Sequence, residues 1–581
     1  MHEKFTHFGE LYCHLVRTAP KEDFLHHKEG DTWKSFSKKT FLCSVRYLTL
    51  AFNDQGWHGK QVAIAVSPSA HWLMLDYALM LCGAVSVPLF TNLSSKNLLF
   101  EFLDANVHTA FIESETQKEL IHGIDTTIEV IYIDDVGGYR TLEDMLKLGE
   151  QIDKANPTLF RELRFRIKAD DIATIVYTSG TSGTPKGVEL THKNLISQIH
   201  ATAQNYHFDP RTDVAFSFLP LAHIFERMVM HFYLSRELTV YFSDDVKNVG
   251  VLLKEINPTV MTVVPRLLEK VFFKMKLKAM EGSFIKKALV KYAFHRAVTK
   301  DPYAPKSIVD KILDVIVYKK LRLALGSRMR MMISGGAALP DALYKFYLNI
   351  GTPIYQGYGQ TETSPVIASN TPNDNKIGTV GKPFPHVQVM LSPEHELLVK
   401  GPNVMRGYHN NPKATAEVID KDGWLHTGDL ASIDDEKFIS IIGRTKELLK
   451  TSTGEYVTSV YIEQKITSNG WFEQALIVGD GKPYVVALLF IEHEFLGRLA
   501  TSMKTTPLKA LESKKFQEMT AKFVKKINKK LNHWEKVREY RVIADELSIE
   551  NGDLTPSMKL AKNYLMEVYA DEIEEMYEGH V

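Results

Sequence analysis

Cysteine is scarce in this 581-residue chain: Cys13, Cys43 and Cys82 stand apart, without the paired spacing that binds zinc or staples a small secreted fold. That pattern excludes a disulfide framework and points to a reducing compartment. Net charge is lacking too. Lys plus Arg and Asp plus Glu both total 70, so no global charge draws the chain to nucleic acid. The N-terminal "MHEKFTHFGELYCHLV" has no long apolar core of the kind a secretory signal carries. The most apolar stretch, Trp72 to Phe90, is interrupted by Asp76, Gly83 and Pro88, which argues for a buried helix followed by a strand and against a membrane span. Low-complexity tracts and internal repeats are also missing. What remains is an ordinary globular composition, 44% apolar and 24% charged, in a chain too long for one core. Two or more domains of a cytoplasmic protein are expected.

Against this background residues 177–187, "YTSGTSGTPKG", are unusual. They follow Ile172-Ala-Thr-Ile-Val-Tyr, a β-branched run that reads as a buried strand. Glycines let backbone N–H groups converge on phosphate oxygens, and Ser179, Thr181, Ser182 and Thr184 add hydroxyl donors. A Walker loop requires a hydroxyl residue after its lysine, whereas Lys186 is preceded by Pro185 and followed by Gly187. The P-loop kinase or NTPase reading is therefore set aside. A flexible linker is the competing reading of a Gly/Ser/Thr run. The flanking strand opposes it, as does "GVELTHKNLISQI", which reads as a helix with Thr191 and Asn194 near its start.

Charge is uneven in one place. Residues 266–330 hold 17 Lys or Arg against five Asp or Glu, interleaved with apolar residues at helical spacing. Such a run is either a solvated helix face or a surface for anionic partners: lipid headgroups, an acidic protein or nucleotide phosphates.

Further along, strand-like and loop-like segments alternate as in an α/β protein. "RMRMMISGGAALP" (328–340) runs a strand into Gly335-Gly336 and a helix start, and "TPIYQGYGQTETSP" (352–365) repeats the pattern. "WLHTGDLASID" (424–434) reads as a turn bearing Asp429 after an exposed glycine. "FISIIGRTKELLKTSTGEYV" (438–457) carries Arg444 into a glycine-containing loop, and "NGDLTPSMKLAKN" (551–563) sets Lys559 after Pro556.

Taken in this order, these stretches resemble the adenylate-forming superfamily of acyl-CoA synthetases, peptide-synthetase adenylation domains and beetle luciferases. The likeness runs from "SPSAHWLMLDYALMLCGAVSVPLF" to Lys559; "LPLAHIFER" (219–227) and "LTPSMKL" are similar to the long-chain fatty acyl-CoA synthetase branch. The resemblance implies an α/β fold. A large N-terminal adenylate-forming domain, two α/β subdomains plus a distorted β-barrel, would span 1–441. A hinge at 442–450 and a small mobile α+β domain at 451–581 would follow.

The same resemblance assigns residues. Ser179, Gly180, Thr181, Ser182, Gly183 and Thr184, with Lys186, would hold the β- and γ-phosphates of ATP. Tyr358 would stack on adenine, with Gly335, Gly336 and Ala337 beside it and Gly359 and Gln360 following in the same motif. Thr361 would contact the α-phosphate, Glu362 ligate Mg²⁺, and Asp429 and Arg444 hold the ribose hydroxyls. Lys446 falls at the hinge, and Lys559 corresponds to the lysine required for adenylation. Gly454 corresponds to the thiol tunnel, although "TSTGEYV" has one glycine where many relatives carry two, and Met558 stands where relatives often have Gly or Leu. His223 either meets the acyl carboxylate at the tunnel mouth or is a packed histidine; His192 and His200 read as structural.

The expected activity is ATP-dependent ligation of a long-chain fatty acid to coenzyme A, with acyl carrier protein as the alternative acceptor. A nucleotide-regulated binding protein without catalysis is the rival of another class, and the presence of Lys559, Glu362, Asp429 and Arg444 weighs against it. The basic segment adds an expected peripheral contact with the anionic inner face of the membrane.

Overall fold

The computed structural model describes residues 5–91, 95–178, 185–245, 248–281, 283–549, 551–555 and 559–578. The expected phosphate-loop residues Ser179, Gly180, Thr181, Ser182, Gly183 and Thr184 lie outside these, as does Met558. The chain divides into two compact units. One comprises Met1–Met390, Leu398–Thr427 and Ile433–Ser440; the other comprises Leu391–Leu397, Gly428–Ser432 and Ile441–Val581.

Two sheets organise the larger unit. One is seven-stranded, in the spatial order Gly407–Tyr408, Lys186–Thr191, Ile172–Thr178, Val85–Pro88, Gln61–Ala65, Thr109–Ile112, Glu129–Tyr132. The neighbours from Ile172–Thr178 to Glu129–Tyr132 pair in parallel, so the strands are joined by helices and buried on both faces. The Trp72–Phe90 stretch supplies one such unit. Helix Ala70–Cys82 begins where the Ser69 side chain accepts from Trp72 N and ends at Gly83, whose φ of 79° favours glycine. Strand Val85–Pro88 follows at once.

The second sheet is nine-stranded, in the order Lys382–Pro383, Val366–Ser369, Ile354–Gly359, Met331–Ser334, Val260–Val263, Val214–Ser217, Thr239–Phe242, Leu25–Glu29, Thr32–Phe36. Its central strands, Ile354–Gly359 through Leu25–Glu29, are parallel. Their carboxyl ends share one edge of the sheet, the edge at which open α/β sheets bind ligands. The turn bearing His223 and the Gly335–Ala337 loop follow those strand ends, and the Tyr358–Glu362 segment includes the end of strand Ile354–Gly359.

The smaller unit is α+β. Strands Phe472–Val478, Val485–Ile491 and Val537–Ile543 form a sheet whose first pair is antiparallel and second pair parallel. Every residue of Val485–Ile491 is buried. Alternate residues enter two apolar cores: Val485, Ala487 and Leu489 join helices 459–467 and 514–528, while Val486, Leu488 and Phe490 join 562–578. That is why this strand is apolar throughout instead of alternating.

Two local expectations are corrected. Gly187–Leu190 is strand, not helix: Lys186–Thr191 pairs antiparallel with Ile172–Thr178, and the helix starts only at His192. Val188 and Leu190 are buried while Glu189 is less so, the two-residue period of a strand. The signal at Thr191 and Asn194 marks the helix start itself, since these residues form a reciprocal capping box. Asp429 lies inside strand Leu425–Ile433, not in a turn, and the preceding Gly428 is half-buried. Gly428 has a φ of 71°, so the glycine serves the backbone of the strand.

Candidate active site

In the larger unit Lys186 and Glu362, expected at the phosphates and at Mg²⁺, are joined by one tyrosine. Tyr408 donates its hydroxyl to Glu362 Oε1 at 2.9 Å, and the Lys186 ammonium sits 4.7 Å from the centre of its ring. Desolvation and the Glu362 carboxylate push the Tyr408 phenol well above its ordinary value, so it stays protonated and donates. The backbone fixes this trio. Gly407–Tyr408 pairs with Val188 and Glu189, His409 N donates to Gly187 O at 2.7 Å, and Met405 N donates to Glu362 O at 2.9 Å. Tyr408 was not marked by the motifs. Its sequence setting, "VMRGYHNNP" (404–412), shows only an aromatic before a turn.

The Tyr358–Glu362 segment is held tightly. A Cβ on Gly359 would stand 1.7 Å from the Pro365 carbonyl oxygen, so no other residue fits there. Gln360 Nε2 donates to Thr427 O at 2.8 Å, and Thr361–Thr363 forms a single 3-10 turn with Gln360 as its N-cap, whose backbone N donates to Thr363 Oγ1 at 3.0 Å. Close by in the sheet, Gly335 packs on Phe225: a Cβ there would lie 2.9 Å from the ring. Gly336, with a φ of 80°, and Ala337 are exposed beyond it.

The Phe225 contact brings the Gly335 loop to the helix that His223 begins. His223 is the N-cap of helix Ile224–Ser235, and its Nδ1 accepts from Phe225 N at 3.2 Å. His223 thus uses one ring nitrogen as a helix cap, which is compatible with either reading of this residue. His192 is buried, and desolvation lowers its ring to about 3; His200 Nε2 lies 2.8 Å from Phe5 O.

"LPLAHIFER" owes its charged end to the core. Glu226 and Arg227 are fully buried. Glu226 accepts from Ser217 Oγ at 2.6 Å and from Thr262 Oγ1, tying the helix to the ends of two parallel strands; burial raises it to about 7. Arg227 donates from Nε to Asp76 Oδ2 at 2.9 Å, from Nη2 to Asp76 Oδ1, and from Nη1 to Thr174 Oγ1 at 2.7 Å.

The smaller unit holds a second cluster. Asp429 is buried, and Arg444 donates from Nε to its Oδ1 at 2.9 Å. The Lys559 ammonium lies below the usual lysine value through desolvation of the charge and repulsion from the Arg444 guanidinium. Since Lys559 as a whole is exposed, the guanidinium is the firmer cause. Gly454 sits in the turn of the hairpin Leu448–Lys450/Tyr456–Thr458 with a φ of 89°. Lys446 lies in the short 3-10 turn Thr445–Glu447.

The chain thus combines a large α/β unit with a separate α+β unit. The chain belongs to the AMP-binding enzyme family, which matches residues 16–409, and residues 446–581 match the AMP-binding enzyme C-terminal domain. It is 34% identical over 539 residues to the long-chain-fatty-acid–CoA ligase FadD15 of Mycobacterium bovis, covering 89% of this chain and 88% of that one. It is 31% identical to the peroxisomal long chain acyl-CoA synthetase 6 of Arabidopsis thaliana, covering 89% and 78%. Among solved structures, the adenylation domain of a carboxylate reductase from Mycobacterium chelonae superposes with a TM-score of 0.76 at 21% identity, over 99% and 92% of the two chains. The Bacillus subtilis O-succinylbenzoate coenzyme A synthetase in complex with AMP gives 0.68 at 20%, over 96% and 97%.

Proposed function

We infer that the protein is an AMP-forming long-chain fatty acid–CoA ligase. Family membership, together with relatives named as long-chain ligases over most of the chain, supports ATP as nucleotide and coenzyme A as acceptor. The structural observation that carries the reading is the Lys186–Tyr408–Glu362 trio, a cation and a carboxylate held by one side chain just beyond the carboxyl end of strand Ile354–Gly359. The test is formation of AMP and pyrophosphate from ATP with palmitate and coenzyme A.

A carboxylate is a poor electrophile, because attack on it must expel oxide. In the first step a fatty-acid oxygen attacks the α-phosphorus of ATP and the bond to the β-phosphate oxygen breaks. Acyl-adenylate forms and pyrophosphate leaves. In the second step the thiol loses its proton, its sulfur attacks the acyl carbon, and AMP departs with the bonding pair. A thiol of pKa about 8.5 needs little assistance at neutral pH. The first step joins two anions and needs positive charge.

Lys186 is assigned to the phosphates with the Ser179–Thr184 loop, Tyr358 to adenine, Thr361 to the α-phosphate, Asp429 and Arg444 to the ribose, and Lys559 to the developing charge at phosphorus. Mg²⁺ is commonly held by one or two carboxylates plus substrate phosphates, and Glu362 supplies such a carboxylate. When bound, Mg²⁺ offsets phosphate charge. The domain boundaries 1–441, 442–450 and 451–581, with Lys446 as hinge, are part of the same reading.

Two results are expected. Tyr408→Phe keeps the ring under Lys186 but removes the hydrogen bond to Glu362. Losing one bond to a charged group should lower adenylation roughly tenfold or more. The loss should be largest at limiting Mg²⁺, with the KM for fatty acid unchanged; an unaltered Mg²⁺ requirement would contradict the positioning role. Thr181→Ala with Thr184→Ala should raise the KM for ATP while leaving fatty-acid binding alone. Retained ATP affinity would return the loop to the linker reading.

No described helix is long and apolar enough to cross a membrane. Peripheral contact with an anionic bilayer completes the proposal, because long-chain acids partition into membranes.

A further inference from the structure

The basic segment contains apolar side chains that the core does not use. Helix Phe284–Thr299 buries Val290, Ala293, Phe294 and Ala297, the i, i+3, i+4, i+7 stripe of a helix packed on one side. At its other end Phe284 and Ile285 are 86% and 81% exposed. Residues 308–325 repeat the arrangement. Leu313, Val317 and Leu321 face inward, and Tyr318 donates to Ala293 O at 3.0 Å, so the two helical stretches pack side by side. Ile308, Ile312, Val315 and Ile316 form a second stripe, at i, i+4, i+7 and i+8, and all four are exposed. Both inner stripes enter one core, so Phe284, Ile285 and the outer stripe of 308–316 turn away from it. Single exposed apolar residues need no explanation; a continuous stripe opposite a buried one does.

Charge on this surface is one-sided. Asp310 is buried and paired with Arg296 at 2.6 Å and Lys300 at 2.7 Å, and Asp314 is paired with Arg322. Lys286 and Lys287 flank Phe284 and Ile285, and Lys311, Lys319 and Lys320 flank the second stripe; all five are exposed. Asp310 and Asp314 thus face neighbouring cations while these five lysines face outward; Glu281 and Asp301 are also exposed, at the ends of helices Pro265–Ala279 and Phe284–Thr299.

We propose that the exposed start of helix Phe284–Thr299 and the outer stripe of the helical stretch 308–325 form a membrane-docking surface, with Phe284, Ile285, Ile308, Ile312 and Val315 entering the headgroup boundary of an anionic bilayer and the flanking lysines contacting lipid phosphates. An apolar stripe rimmed by lysine is the pattern of an interfacial helix. The inference deepens the fatty-acid reading by locating where an enzyme of membrane-dissolved substrates rests. Vesicle binding is measured without turnover, so its failure and the failure of the ligase activity are separate results.

The experiment is co-sedimentation of the full chain with vesicles of phosphatidylcholine alone or with phosphatidylglycerol, at low and high salt. Wild type should sediment with phosphatidylglycerol vesicles and leave them at roughly 0.5 M salt, where screening acts over only about 4 Å. Lys286→Gln, Lys287→Gln, Lys311→Gln and Lys319→Gln together should lower partition roughly 100-fold. Phe284→Ser, Ile285→Ser, Ile312→Ser and Val315→Ser should lower it at least about tenfold even at low salt. These side chains are exposed, so unfolding temperature and activity on short soluble acids should stay unchanged. Unchanged vesicle binding in either variant overturns the proposal. So does a wild type that ignores vesicles but forms a dimer the serine variant dissolves, or that binds acidic carrier protein instead.

Discussion

Lys559→Ala should abolish acyl-adenylate formation and leave thioester formation from synthetic acyl-AMP largely intact. The first step brings a carboxylate to a triphosphate, and a preorganised cation at the phosphorus offsets that repulsion; removing such a group typically costs 10²–10³ in rate. The second step has lost the pyrophosphate charge and uses a thiol, so the same cation has little left to stabilise. Lys559 suits a step-specific role because no described ion pair occupies it, and its charge is already disfavoured beside Arg444. The assay is pyrophosphate release for the first half-reaction and coenzyme A consumption for the second. If both fell together, Lys559 would hold the structure or the nucleotide in general.

The second large effect concerns stability. Arg227→Met should destabilise the larger unit by about 3–5 kcal/mol, since it leaves Asp76 as a buried carboxylate without its guanidinium. Arg227 and Asp76 are both fully buried, and three donations from one guanidinium satisfy Asp76 and Thr174 together. Burial alone would raise Asp76, but Arg227 and His231 hold it down to about 2 from the ordinary 3.8. The sign follows. A depressed carboxylate contributes stability that is fully present above its unfolded value and is lost as pH falls through about 4 toward 2. Arg227→Met should therefore flatten that part of the acid unfolding profile as well as lower urea stability at neutral pH. Arg227→Lys should rescue only in part, because lysine has no planar fork to reach both oxygens and Thr174. A loss under about 1 kcal/mol would mean that water reaches Asp76 when the partner is removed.

The buried pair also shows where sequence reading stops. Asp76 interrupts the apolar Trp72–Phe90 run and Arg227 ends "LPLAHIFER", 151 positions later, and nothing local connects them. Each looked like an interruption or a motif letter. Burial makes them a single feature, which only the packing of helix Ala70–Cys82 against Ile224–Ser235 reveals. Tyr408 was missed for the same reason: its partners Lys186 and Glu362 are far away in sequence, and the short strand that carries it has only two residues.

Local chemistry was more legible. Gly83 ended a helix and the capping box at Thr191 and Asn194 began one, because caps are written in neighbouring residues. The strands before Gly335 and Tyr358 were readable as β-branched or apolar runs broken by glycine, and topology then placed their carboxyl ends on one edge. Asp429 misled because a Gly-Asp pair usually marks a turn, whereas here a positive-φ glycine lies within a nine-residue strand. Gly187–Leu190 misled because a short apolar segment leading into a helix reads as helix until its partner strand is known.

The central claim is tested most directly by incubating the enzyme with radiolabelled palmitate, ATP and Mg²⁺, offering coenzyme A or acyl carrier protein as acceptor. The account predicts palmitoyl-CoA, AMP and pyrophosphate in equal amounts, with no labelled carrier protein. Formation of ADP and phosphate, or of thioester on the carrier protein alone, would contradict it.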